Sequence, residues 1–237
     1  MAQIPGPATG SAGTARFDTD LFAGIGLAFV AGFVDAAAFI ALAGLFTAHV
    51  TGNFVMIGAE LVSTSVGVVA KLLALPVFVL AVAGTRLLAL ALEGRGVPPL
   101  RWLLGLETLL LAGFCVAGLA LAPLGSPDGA AAVSVGMLAV AAMGAQNAIG
   151  RLGLPHLAAT TVMTVNVTQA VIDLVDWARG AVAPDGAART RMRRMLPAVL
   201  AFAVGALAGA FGVAAWSFAC LLIPIVALCA LMVLLRT

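Results

Sequence analysis

Apolar residues run along this chain in blocks of about twenty, broken by short polar or Gly/Pro-rich stretches. LLALPVFVLAVAG (72–84) and AVLAFAVGALAGAFGVAAW (198–216) are apolar on every side, without alternation. A helix rises ~1.5 Å per residue, so about 20 such residues cross the ~30 Å hydrocarbon core of a bilayer. The strands of a membrane barrel would alternate apolar and polar positions. The pattern therefore predicts an all-α fold, a polytopic transmembrane helix bundle. The breakers divide it into about eight segments, at 20–44, 47–63, 68–92, 100–123, 130–151, 157–178, 195–214 and 217–236. The second segment is short and the last two are nearly fused, which leaves six or seven spans open, and leaves open whether 47–63 spans or re-enters.

The pattern also repeats. TAHVTGNFVMIGAELV from Thr47 aligns without gaps to TTVMTVNVTQAVIDLV from Thr160, pairing Thr51 with Thr164, Asn53 with Asn166 and Glu60 with Asp173. LPVFVLAVAG from Leu75 matches LPAVLAFAVG from Leu196, and Asp35 falls opposite Gln146 or Asn147. Two transmembrane repeats follow, 20–123 and 130–236, after an N-terminal segment 1–19 expected to be disordered and cytoplasmic. Four spans per unit would make the copies parallel, and an odd number would invert them.

Composition narrows the class. The chain has 237 residues, 63% hydrophobic and 9% charged, with a mean hydropathy of +1.17. That is far below the roughly 25% charged residues of soluble domains. The net charge of +2 gives no reason to expect nucleic-acid binding. Cys115, Cys220 and Cys229 fall in apolar spans and read as small hydrophobes. With eight spans, Arg16, Lys71, Arg179, Arg189, Arg191, Arg193, Arg194 and Arg236 gather on one side, against Arg95, Arg101 and Arg151 on the other. The positive-inside rule then makes both termini cytoplasmic, with 179–194 as a basic cytoplasmic loop read first as a topology anchor and only second as a contact for anionic headgroups.

GFVDAAAFIALAGLFTAHVTGNFVMIGAEL, AMGAQNAIGRLG and TTVMTVNVTQAVIDL together resemble the YoaK family of bacterial membrane proteins, a domain of unknown function, from about Gly24 to the end of the chain. Its second copy often reads Thr-Gly-Asn, where this chain has Thr164-Val165-Asn166. The resemblance implies a multi-pass protein of the bacterial inner membrane, with a small-molecule permease as its loose functional implication. It supplies no substrate.

Polar groups inside a bilayer are costly and usually pair or face water. Depth along the segments puts Asp35, Asn53 and Arg86 at one level in the outer half, predicting an Asp35–Arg86 pair completed by Thr51 and Asn53. Gly52 allows a helix or ligand to come close. Candidate substrate-binding residues are Asp35, Thr51, Gly52, Asn53, Arg86, Gln146, Asn147, Thr164 and Asn166. His49, Glu60 and Asp173 are weaker gate or coupling candidates, Glu60 and Asp173 near inner span ends. Glu107 within the fourth segment is expected to meet a basic neighbour, and His156 in a loop carries least. The leading function is a small-molecule permease or secondary transporter, proton-coupled through Asp35, with membrane lipid and a homo-oligomer as further partners. The alternative is a scaffold or sensor whose polar residues only fasten helices. A lipid-modifying enzyme ranks below both, since no metal-ligand cluster, nucleophile–base pair or nucleotide loop is present. No enzyme activity, cofactor or metal is expected.

Overall fold

The computed structural model describes residues 11–62, 67–154, 160–161, 163–179 and 186–235. The described chain is helical: α1 Ser11–Ala41, α2 Gly52–Glu60, α3 Val68–Glu93, α4 Leu100–Leu121, α5 Ala130–Leu152, α6 Met163–Ala178, α7 Gly186–Trp216 and α8 Leu222–Leu234. Among the described residues five stretches are long and apolar enough to cross a membrane. The last of them, Arg191–Leu234, has 44 residues. Straight, it would measure ~66 Å, about twice the hydrocarbon core. It bends instead at Ser217, whose φ of 50° lies in the left-handed region, and a 3-10 turn Ser217–Leu221 sends the chain back as α8.

Contacts fix the direction of each helix. The carbonyls of Phe29 and Phe33 on α1 lie against Gly205 and Gly209 on α7, and Gly32 lies against the Phe202 carbonyl. Partner positions advance together, so α1 and α7 run parallel, backbone on backbone. α3 begins where α1 ends, because the Lys71 ammonium donates to the Ala43 carbonyl at 2.7 Å. Asp128, just before α5, accepts from the Gly67 N–H at 3.0 Å and the Val69 N–H at 2.9 Å. α4 therefore ends, and α5 begins, at that same end. At the opposite end Leu100 packs against Gly153. α8 descends from Phe218, beside Gly118, to Leu231, beside Gly26. α1, α4 and α7 thus run one way, and α3, α5 and α8 the other.

α2 and α6 are excursions that leave and return at one end. α2 has 9 residues, which at ~1.5 Å each is about 14 Å and too short to cross. Of the two readings left open for 47–63, a short helix that leaves and returns at one end is the one that fits, because its first part is tied into turns rather than helix. The six lengthwise helices also correct the placement of charge. Arg16, Arg95, Arg101, Arg151, Arg179, Arg189, Arg191, Arg193 and Arg194 belong to segments at one end, and Lys71 lies at the other. Two boundaries move as well: α1 already starts at Ser11 within the segment expected to be disordered, and α7 starts at Gly186 within the expected basic loop.

The core gathers Leu27, Phe33 and Val34 of α1 with Leu103, Leu111, Val140, Met143 and Leu228. Large apolar side chains point outward around it, among them Val79, Leu80, Leu87, Leu207, Phe211 and Val226. Trp102, Trp177 and Trp216, all near helix ends, are exposed. An apolar outside around a packed interior suits a lipid surround.

Candidate functional site

Ten residues of irregular chain separate α1 from α2, and their backbone groups need partners away from water. Asp35, more than a turn before the end of α1, supplies them. Its Oδ1 accepts from the Thr47 N–H at 2.7 Å, the Ala48 N–H at 2.8 Å and the Thr47 hydroxyl at 3.1 Å. Its Oδ2 meets His49 Nδ1 at 2.7 Å. Asn53, in the first turn of α2, clamps the same loop from the other side. Its Oδ1 accepts from the Phe46 N–H at 2.9 Å, and its Nδ2 donates to the Phe46 carbonyl at 2.8 Å. Gly52 makes room for the Phe46 ring, whose Cδ2 would sit 2.9 Å from a Cβ there.

This loop, α1 and α7 line an open cavity of about 570 Å³, within the usual range for small-molecule pockets. Its walls are apolar, from Ala36, Phe39, Ile40, Phe46, Phe202 and Ala206, and its polar edge is Asp35, His49 and Thr51. The His49 ring stands edge-on to Phe202 at 5.5 Å and to Phe46 at 6.4 Å. With Nδ1 held by Asp35, Nε2 has no hydrogen-bond partner among the described residues. A carboxylate behind one ring nitrogen orients the imidazole and leaves the other nitrogen for a ligand.

The expected Asp35–Arg86 pair does not form. Arg86 on α3 faces Glu93 at 3.6 Å, with both side chains nearly half exposed. Residues 47–51 are loop rather than the start of a continuous helix, and that loop itself takes up the Asp35 carboxylate. Of the substrate-binding candidates, Asp35, Thr51 and Gly52 line the cavity, joined by His49. Asn53 stands behind it as a loop clamp.

The second copy is built from neutral groups. The Thr161 hydroxyl donates to Asn147 Oδ1 at 2.6 Å, and Asn147 Nδ2 donates to the Met143 carbonyl at 2.9 Å. Gln146 Nε2 donates to the Leu27 carbonyl at 2.7 Å. Thr164 is exposed and Asn166 is buried beside Met163. None of these five lines the cavity.

Glu60 and Asp173 are not equivalent inner-end carboxylates. Glu60 takes the buried Lys71 ammonium at 2.7 Å, at the end of the bundle where α3 starts. Asp173 takes Arg191 at 2.9 Å, at the opposite end where α7 starts. Each acid therefore fastens its short helix to the next long one. Lys71, counted in the sequence as a topology charge, is fully buried and also donates to the Gly67 carbonyl at 3.3 Å. Glu107 is wholly buried, and among the described residues it meets no basic neighbour and neither oxygen has a donor. His156 lies outside the described residues. Sequence reasoning missed Phe202 and Ala206 as cavity walls, and undervalued His49. The available signal was that His49 stands two residues before Thr51 in a polar cluster otherwise flanked by apolar chain.

Among the described residues no three His, Cys, Asp or Glu side chains are grouped to hold a metal. No curated protein and no solved structure matches the chain. The family described as "Protein of unknown function (DUF1275)" matches residues 23–234, and the chain belongs to that family.

Proposed function

We propose that this protein is a small-molecule permease of the bacterial inner membrane, with six crossings and an inverted internal repeat. Three lengthwise helices and one excursion make each unit, and an odd number of crossings inverts the second copy. The packing supports this. α1 on α7 corresponds to α5 on α3, α4 on α5 to α8 on α1, and α2 on α3 to α6 on α7. Gly32 against Phe202 has its counterpart in Gly144 against Ala81, at positions the repeat aligns. With six crossings, the nine arginines at one end make that end cytoplasmic, and both termini with it.

The observation carrying the functional reading is the cavity itself. It lies between the two copies, at an interrupted helical segment, with a carboxylate-anchored imidazole on an otherwise apolar wall. Such a site suits a small molecule with an apolar body and one group that bonds to His49 Nε2. The proposal involves transport without chemical turnover. A scaffold is the second reading, favoured by one observation: Asp35, Asn53, Gln146 and Asn147 all bond to backbone of their own bundle.

A thermal-shift screen of small metabolites on purified protein tests the choice, since a ligand of the folded state raises apparent stability. The permease reading expects at least one compound that stabilises the wild type and fails to stabilise His49→Leu, and that enters proteoliposomes only with wild-type protein. Stabilisation indifferent to His49, or no uptake of the stabilising compound, would leave the scaffold.

A further inference from the structure

Among the described residues four buried side-chain oxygens accept from no donor; besides Glu60 Oε2, at the end of the bundle, they are both carboxylate oxygens of Glu107 and the Oε1 of Gln146, away from the cavity. The Glu107 and Gln146 side chains are wholly buried. Register puts them at one level. α4 and α5 run antiparallel with Leu100 against Gly153 and Gly113 against Leu138, so Glu107 lies opposite Gln146. Each stands about 10 Å from the arginine-rich end of its helix. Gln146 has its amide nitrogen committed to Leu27 and, at 3.4 Å, to the Thr160 hydroxyl, which leaves only an acceptor to offer.

An ionised carboxylate in apolar surroundings requires a cation or several donors. The elements packed on α4 bring none to Glu107. On α5, Arg151 is exposed; on α8, Cys229 is exposed; in the 3-10 turn, Cys220 lies beside Gly212. On α3, Lys71 is taken by Glu60 and Arg86 faces Glu93. On α4 itself Arg101 is exposed, and Cys115 is two turns further along, donating to the Phe218 carbonyl. A neutral acid needs no counter-cation and carries one O–H donor, and Gln146 Oε1, at the same level of the bundle, is an acceptor without a donor among the described residues.

We propose that Glu107 and Gln146 form a proton-binding site in the core, and, resting on the permease reading, that this is where a proton couples to transport. The step is a simple protonation: Glu107 carboxylate takes one proton from water and releases one to water, with no other bond changed. Coupling then belongs to Glu107 rather than to Asp35, whose carboxylate is occupied by the loop.

Infrared spectroscopy of the protein in lipid at pH 7 tests the occupancy. The wild type is expected to show a C=O band of a neutral carboxylic acid, shifted in D2O and absent from Glu107→Gln. A folded site that binds one proton more than the unfolded chain loses stability as pH rises. The apparent Tm of wild type should therefore fall relative to Glu107→Gln between pH 6 and pH 9. Glu107→Leu serves as the second variant should the amide disturb folding. Superimposable wild-type and variant spectra, or parallel Tm–pH curves, would overturn the proposal. An acid band accompanied by an unsuccessful ligand screen would remove the permease reading and leave the proton site standing.

Discussion

Replacing Asp35 by Ala tests whether the carboxylate chiefly holds the loop. Thr47 and Ala48 are buried, and both donate backbone N–H groups to Oδ1. Alanine strands both donors at ~1–3 kcal/mol each, about 2–6 kcal/mol together. Asn at the same position keeps a carbonyl oxygen for both backbone donors and gives up the charge and the oxygen that meets His49, a loss of about 1–2 kcal/mol. At ~2–4 °C per kcal/mol for a chain of this size, Asp35→Ala should lower the apparent Tm by about 4–24 °C and Asp35→Asn by less than about 8 °C. The cysteines supply the assay. Cys115 and Cys220 are buried and Cys229 is exposed, so a thiol-reactive dye on a Cys229→Ser background reports unfolding on heating. Equal losses in the two variants, or an alanine variant as stable as wild type, would refute the account of Asp35 as the loop's acceptor.

Arg86→Ala should shift the apparent Tm by no more than about 2–4 °C, because a half-exposed pair contributes ~0–1 kcal/mol; a loss comparable to that of Asp35→Ala would return Arg86 to the site. Gly209→Val drives a Cβ into the Phe33 carbonyl and should cost ~3 kcal/mol or more, read as lost membrane abundance and a lower Tm. Gly84→Ala is the control, since a Cβ there meets nothing within 4 Å. Asp128 is held below the usual carboxylate range, first by the Val69 N–H and then by that of Gly67. The sign follows: its contribution is present above the unfolded pKa of about 3.9 and is lost as pH falls through the lower folded value. Tm measured from about pH 6 down to about pH 3 should therefore drop more steeply for wild type than for Asp128→Asn; parallel curves would count against the cap.

Helical class and most helix positions were legible, because lipid imposes a length and a polarity on every crossing segment. The eventual boundaries of α3, α4 and α5 lie within about two residues of the expected ones. The clustering of polar residues was legible as well, since Asp35, Thr51 and Gly52 meet around one cavity. Partnership was not. A carboxylate that accepts from backbone and one that pairs with a guanidinium leave the same mark in a sequence, which is why Asp35 was matched to Arg86. Lys71 misled the charge count for a related reason: nothing local distinguishes an ammonium anchored by Glu60 from one facing water. Once α2 and α6 are excursions, Arg95, Arg101 and Arg151 join the other arginines and the charge asymmetry sharpens. Glu107 looked like half of an ion pair, because the emptiness of its surroundings comes from three other helices.

The seam between α1 and α7 has a mechanical consequence. Main-chain carbonyls of Phe29, Phe33 and Phe202 rest on glycines, leaving no side-chain layer that can repack as one helix slides on the other. The two helices behave as a single beam, and the back wall of the cavity is rigid. Any opening falls to the two short helices, each latched by an acid–base clasp: Glu60 to Lys71 at one face of the bundle, Asp173 to Arg191 at the other.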